Sequence, residues 1–144
     1  MAIWKQQFDL QSLNLTSKNT AMECLGIEYS QFTENSLSAT MPVDARTHQP
    51  LGMLHGGASV LLAESLGSIA ANMCVDENHF CIGLDINANH IKAVRSGIVT
   101  GTATPIHIGI KTQVWQIDIC NSSNQMVCSS RLTIAVMKRK ATKV

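Results

Sequence analysis

One stretch of the chain, from Gly56 to Val75, constrains the fold more than any other. It carries a single charged side chain, Glu64, among alanines, leucines and small polar residues, and it contains no proline. A segment that is apolar nearly all round predicts a buried helix. A lone carboxylate in such a helix is costly unless it is paired, hydrogen-bonded, protonated or open to a ligand. We therefore expect Glu64 to belong to a reaction site.

Length and composition indicate one globular domain over residues 1–144. Of the 144 residues, 45% are hydrophobic and 15% are charged, which is enough apolar material for a real core. The 11 Lys and Arg residues nearly balance the 10 Asp and Glu residues, and aromatic residues make up only 4%. Nucleic acid is therefore not an expected partner. Because Glu64 and several polar residues interrupt the long helix, we also expect no membrane span.

The cysteines and the N-terminus point to the cytoplasm. Five cysteines are present, an odd number, and no two have the C-x-x-C spacing of a metal or redox site. We expect buried, reduced thiols and no bound metal. No signal peptide is visible at the N-terminus.

The segments around the helix predict strands. Residues 10–24 have a loose helical pattern, and the alternation of a half-buried strand appears six times. These segments are 26–32, 36–43, 80–93, 97–107, 111–120 and 126–137. In segment 80–93 the alternation places Ile82, Leu84 and Ile86 on one face. The fold class is therefore α+β, with an antiparallel sheet of about six strands curled around the helix.

Three motifs stand out in the loop and helix around Glu64 and in the strand that follows. They are Gln49-Pro50-x-Gly52-x-Leu54-His55-Gly56-Gly57-Ala58-Ser59, Leu62-Ala63-Glu64-Ser65-x-Gly67-Ser68 and Gly83-Leu84-Asp85-Ile86-Asn87-Ala88-Asn89-His90. These motifs resemble those of hotdog-fold acyl-CoA thioesterases, and most closely those of the menaquinone-pathway 1,4-dihydroxy-2-naphthoyl-CoA thioesterases. The resemblance covers nearly the whole chain. It implies a hotdog fold and hydrolysis of an aromatic acyl-CoA in menaquinone biosynthesis, with no cofactor besides the CoA of the substrate. Thioesters of acyl carrier protein are a further possible substrate.

The resemblance also implies a set of catalytic residues. Glu64 is implied as the nucleophile or general base. The Gly56 N–H, at the positive end of the helix dipole, can polarise the thioester carbonyl. His55 is expected to orient the loop that carries Gln49, and the Gln49 amide can donate to the carbonyl. Ser68 lies one turn after Glu64, within reach of the carboxylate or of a water.

The resemblance further implies that three segments of the chain bind the pantetheine and nucleotide of CoA. The residues concerned are Gly83, His90, Ile91, Lys92, Ala93, His107, Ile108, Gly109, Ile110, Lys111 and Thr112.

The spacing of two of these residues predicts a shared site. Gly56 and Glu64 are eight residues apart, which is about 12 Å along a helix. A glutamate side chain that leans toward the N-terminus does not close that gap to contact distance. If both residues act on one carbonyl, Glu64 comes from a neighbouring subunit, so we expect at least a homodimer, and the resemblance implies a homotetramer. Two alternatives remain open: a hotdog hydratase or dehydratase, and a non-catalytic acyl-CoA-binding module.

Overall fold

A computed structural model describes residues 1–140 and confirms the α+β hotdog architecture, with one long helix packed against a six-stranded antiparallel sheet. In chain order the elements are α1 (Leu10–Thr16), α2 (Ala21–Cys24), β1 (Glu28–Phe32), β2 (Leu37–Pro42), α3 (Gly56–Met73), β3 (His79–His90), β4 (Ile98–Ile108), β5 (Thr112–Cys120) and β6 (Met126–Lys138). Within the described residues, no helix is long and apolar enough to cross a lipid bilayer.

Helix α3 lies on the concave face of the sheet and forms the centre of the core. It packs against five of the strands, β2 to β6. Its buried residues are small or aliphatic, and they are Ala58, Ser59, Leu62, Ala63, Leu66, Gly67, Ala70 and Ala71. The prediction of a buried helix is thus confirmed, with its end at Met73 rather than Val75.

The sheet has the strand order β1-β2-β4-β5-β6-β3, so β1 and β3 are its edges. Strand β1 has five residues, whereas β3 has twelve. Strand β5 shows the predicted alternation, because Trp115, Ile117 and Ile119 are fully buried and the residues between them are not. Strand β3 pairs with β6 on one side, and no strand of the described residues pairs with its other side. The backbone groups on that open side can pair with a strand of another chain.

The prediction that Ile82, Leu84 and Ile86 share one face of β3 is wrong. Ile82 and Leu84 are exposed, at 46% and 61%, whereas Ile86 is half-buried and lies opposite the core residue Leu132. The cause is a register shift between Gly83 and Asp85, which inserts one extra residue and reverses the side-chain alternation beyond it. Simple alternation along the sequence does not reveal such a bulge.

Two further boundaries differ from expectation. The helical pattern of residues 10–24 forms two short helices, because Ser17 ends α1 and Asn19 adopts a left-handed backbone with φ of 60°. Strand β3 ends at His90 rather than at residue 93. The reason is that the Ile91 and Lys92 amides both donate to the Val127 carbonyl, which ends the regular ladder with β6.

The cysteines are all free thiols, but they are not all buried. Burial raises the pKa of Cys74 to about 12 and that of Cys81 to about 11. Cys128 is buried too, whereas Cys120 is half-buried and Cys24 is exposed, which corrects the expectation for those two. Cys24 ends the four-residue helix α2, which buries none of its residues.

Candidate active site

The loop before α3 forms a tight hairpin that presents Gln49. His48 and Leu54 form an antiparallel bridge, and the Gly52 amide donates to the Gln49 carbonyl at 2.9 Å. Gly52 has a φ of 74°, the left-handed conformation that glycine adopts at the end of such a turn, and Pro50 pre-sets the turn's first central position. The hydrogen-bonded turn therefore fixes the backbone at Gln49, and the Pro50 and Gly52 of the sequence suit that turn.

The side-chain amide of Gln49 is held in one orientation. Its Oε1 atom accepts a hydrogen bond from the Leu51 amide, which leaves Nε2 as the group available to a ligand. The Leu51 carbonyl accepts from Arg95 Nη1 at 3.3 Å, and the His48 ring bonds the Arg95 carbonyl at 2.9 Å. Arg95 thus ties the hairpin to the segment after β3, a contact that no local sequence pattern signals.

His55 caps the N-terminus of α3. Its Nδ1 atom accepts from the Gly57 amide at 2.8 Å, which requires the neutral ring to carry its proton on Nε2. The Ala58 and Ser59 amides both donate to the His55 carbonyl. Of the first four amides of α3, only that of Gly56 has no acceptor among residues 1–140. The His55 side chain therefore bonds the helix end, and it is the His55 backbone amide that bonds the hairpin, at the Thr47 carbonyl.

A cavity of about 270 Å³ opens at this end of the helix. It brings together six of the residues expected at the site, namely Gln49, Gly56, His90, Ile91, Lys92 and Ala93. Its other lining residues are Met53, Leu54, Ser59 and Val127. The His90 ring lies directly over Gly56, since a Cβ atom placed on that glycine would be 2.8 Å from His90 Nε2. The absent side chain thus makes room for the His90 ring against the start of the helix.

Glu64 lies elsewhere, two turns along α3. It is half-buried, and within residues 1–140 its carboxylate forms no hydrogen bond or ion pair. It rests against Gly83 of the edge strand, where an added Cβ would be 2.6 Å from Glu64 Oε1. Gly83, expected to contact CoA, thus makes room for the carboxylate. Ser68 is half-buried one turn further on, and no bond joins it to Glu64.

The remaining expected CoA residues surround the β4–β5 turn, at the other end of α3. The Gly109 amide donates to the Thr112 carbonyl at 2.9 Å, and His107 packs against Gly109. Three of this group, Ile108, Gly109 and Ile110, line a second cavity of about 290 Å³ together with Lys5, Cys74, Val75, Asp76, His79, Gln113 and Val136. Lys111 is exposed on the turn. One chain alone therefore does not bring this group to Gly56.

The described residues contain no cluster of three or more His, Cys, Asp or Glu side chains that could hold a metal ion. The polar groups at the first cavity are instead the Gly56 amide and the side chains of Gln49, Ser59, His90 and Lys92. A helix end with a free N–H can stabilise negative charge that develops on a carbonyl oxygen. The arrangement fits acyl transfer, because such a reaction places charge on that oxygen.

Comparisons with known proteins agree with this chemistry. Residues 51–128 match the family model of the thioesterase superfamily. The 1,4-dihydroxy-2-naphthoyl-CoA hydrolase of Escherichia coli is 46% identical over 94% of this chain and 99% of its own. The proofreading thioesterase EntH of Cronobacter turicensis is 47% identical over 94% of this chain and 98% of its own. A crystal structure of a thioesterase from Haemophilus influenzae is 54% identical, with a TM-score of 0.93 and coverage of 94% and 95%.

The fold and the helix-end site define a hotdog-fold hydrolase of thioesters. The chain belongs to the thioesterase superfamily. The expectation of a thioesterase is thereby confirmed over that of a hydratase or a non-catalytic binding module.

Proposed function

We propose that this thioesterase hydrolyses aromatic acyl-CoA thioesters to the free acid and CoA. The observation that carries the proposal is the unpaired Gly56 amide at the helix end, which faces a cavity beside the oriented Gln49 amide. Both groups can donate to a thioester carbonyl oxygen. They gain strength as that oxygen becomes an oxyanion, so they stabilise the transition state more than the substrate.

Glu64 supplies the attack in this proposal, either as nucleophile or as the base that activates a water. Its carboxylate has no partner among the described residues, so its oxygens are available for reaction. Ser68, one turn further on the same helix, can orient the attacking group. In one route Glu64 adds to the carbonyl carbon, the C–S bond breaks, and water hydrolyses the resulting anhydride to the free acid. In the other route Glu64 takes a proton from a water whose oxygen adds to the carbonyl carbon, and the C–S bond then breaks.

The site is composite in this proposal. Glu64 lies beside the edge strand β3 and about 12 Å along α3 from its own Gly56. A second copy that pairs along the open β3 edge brings its Glu64 toward the first chain's helix end. The exposed Ile82 and Leu84 would then be covered. The working unit is at least a homodimer, and pairing of two dimers through the outer sheet faces gives a homotetramer.

The aromatic substrate rests on relatives and on the shape of the cavity. One relative is named a 1,4-dihydroxy-2-naphthoyl-CoA hydrolase, and another of nearly equal identity is named a proofreading thioesterase. Met53, Leu54 and Val127 give the cavity an apolar wall. A flat ring loses less rotamer entropy there than a long alkyl chain. Thioesters of an acyl carrier protein are a second substrate class that this site could accept.

The catalytic assignment is tested with Glu64→Gln, which keeps the size and hydrogen bonding of the side chain but removes the nucleophile or base. We expect kcat for benzoyl-CoA to fall by about 10² or more, with KM largely unchanged. Free thiol release gives the rate, and thermal unfolding checks the fold. A variant that keeps a tenth of the wild-type turnover would refute the role of Glu64.

The substrate class is tested separately on the wild-type protein. We expect kcat/KM for benzoyl- or naphthoyl-CoA to exceed that for palmitoyl-CoA by at least about tenfold, because the alkyl chain loses more conformational freedom on binding. Equal or faster hydrolysis of palmitoyl-CoA would contradict the aromatic assignment and leave the thioesterase activity standing.

A further inference from the structure

His90 is a titratable group in direct contact with the centre of the proposed reaction. It is the last residue of β3, where it pairs with Cys128 of β6. Its ring extends over α3, so that Nε2 lies 2.8 Å from the position that a Gly56 Cβ would occupy. Neither ring nitrogen of His90 bonds a side chain or a carbonyl in residues 1–140, and the residue is exposed to the cavity. The nitrogen is therefore free to meet a bound substrate.

The position of Nε2 relative to Gly56 limits what it can touch. The Gly56 amide holds the carbonyl oxygen in the proposed mechanism, and the thioester sulfur is bonded to the same carbonyl carbon. A group over Gly56 is therefore within reach of the sulfur as well as the oxygen. Gln49 approaches from the hairpin and is already committed as a second donor to the oxygen. The cavity offers two further side-chain donors, the buried Ser59 hydroxyl and the long, exposed Lys92 side chain, but the three atoms nearest the position of a Gly56 Cβ all belong to the His90 ring.

We propose that His90 is a catalytic residue that donates a proton to the leaving sulfur, an inference that rests on the proposed function. When the tetrahedral intermediate collapses, the C–S bond breaks and its electron pair goes to sulfur. The cationic form of the His90 ring gives its Nε2 proton to that sulfur and becomes neutral, so CoA leaves as the thiol. Water later returns the proton to the ring. Histidine suits this step because its ring holds and releases a proton near neutral pH.

The rate gain from a proton donor at the sulfur depends on the acidity of the leaving thiol. An alkyl thiol such as that of CoA ionises near pH 8.5, so its departure as a thiolate at neutral pH gains from proton transfer. A thiophenol is far more acidic and leaves as a thiolate without help. A proton donor to sulfur therefore accelerates the alkyl thioester and leaves the aryl thioester nearly unaffected, whereas a structural or CoA-binding role does not distinguish the two.

The test compares two benzoyl thioesters, one of N-acetylcysteamine and one of thiophenol, neither of which carries the nucleotide of CoA. With His90→Gln we expect kcat/KM to fall by at least about tenfold for the N-acetylcysteamine ester and to change by less than about threefold for the thiophenol ester. Glutamine retains a hydrogen-bond donor, so the loss reports on proton transfer. Asn89→Ala, the exposed neighbour on the other face of β3, is the matched control and should leave both rates unchanged.

Equal losses for the two esters, or no loss for either, would overturn the assignment. His90→Asn provides a second variant of smaller size, and it should reproduce the selective loss. Failure of the proposed function is recognised independently, because it appears as retained turnover of benzoyl-CoA by Glu64→Gln.

Discussion

At the scale of single residues, the site depends on two glycines that make room for functional groups. Gly56 leaves space for the His90 ring, and Gly83 leaves space for the Glu64 carboxylate at the sheet edge. Each contact is closer than a Cβ would permit. The position of the Glu64 carboxylate therefore depends on a residue that lies in a different element.

Gly83→Ala tests this dependence. An added methyl group would overlap Glu64 Oε1, so the carboxylate must move and kcat should fall by about tenfold or more, since a displacement of about 1 Å can cost about 10² in rate. Stability should fall as well. In a Glu64→Ala background the methyl group meets nothing closer than Leu132 at 3.6 Å, so the stability loss should disappear. Thermal unfolding of the four proteins of this cycle gives the coupling, and additive losses would contradict the contact.

The sequence singled out the candidate reacting residues, but it did not reveal which residues they contact. A lone Glu64 in an apolar helix, preceded by His55 and Gly56, stands out because burial of a charge needs a reason. The contacts of Gly83 with Glu64 and of Arg95 with the hairpin join residues far apart in sequence. Such contacts arise only once the strands are in register, and the β3 bulge changes that register.

At the scale of elements, the two ends of α3 are completed in different ways. At the N-terminus the cap is local, since His55 bonds the Gly57 amide. At the C-terminus the caps come from the first residues of the protein. The Lys5 and Gln6 amides donate to the Met73 carbonyl, and the Gln6 side chain bonds the carbonyls of Asn72 and Val75 at 3.0 and 3.1 Å. The N-terminal segment therefore holds the end of the central helix.

Removal of that side chain should destabilise the fold without changing the chemistry. Gln6→Ala loses two hydrogen bonds to helix-end carbonyls, so we expect the free energy of unfolding to fall by about 1–2 kcal/mol. Gln7→Ala removes the exposed neighbouring amide and should change it by less than about 0.5 kcal/mol. Denaturant unfolding compares the two variants. Equal stabilities would show that the Gln6 contacts contribute nothing.

The sequence predicted which segments are helices and which are strands more accurately than it predicted where each one ends. The buried helix and the alternating strands were readable because their periods differ and their apolar residues repeat. The break between α1 and α2 was not, because it depends on the C-cap at Ser17, the N-cap at Thr20 and the left-handed backbone of Asn19. The distant cap of α3 by Gln6 has no local pattern at all.

At the scale of the whole molecule, one chain holds the groups of the proposed reaction apart. Gly56, Gln49 and His90 meet at one end of α3, whereas Glu64 lies at the middle of an open edge. The sequence predicted this separation from helix geometry alone. Pairing of two chains along β3 is the simplest way to complete two equivalent sites, because a two-fold interface uses the same edge from each chain.

The central claim is the composite site, and mixed dimers test it most directly. One chain carries Glu64→Gln and the other carries Gln49→Ala, and two affinity tags isolate the heterodimer. If Glu64 serves the partner's helix end, one of the two sites keeps both residues, so the heterodimer should recover about half of the wild-type benzoyl-CoA turnover, while each homodimer stays inactive. A purified heterodimer as inactive as the two parent homodimers would contradict the shared site.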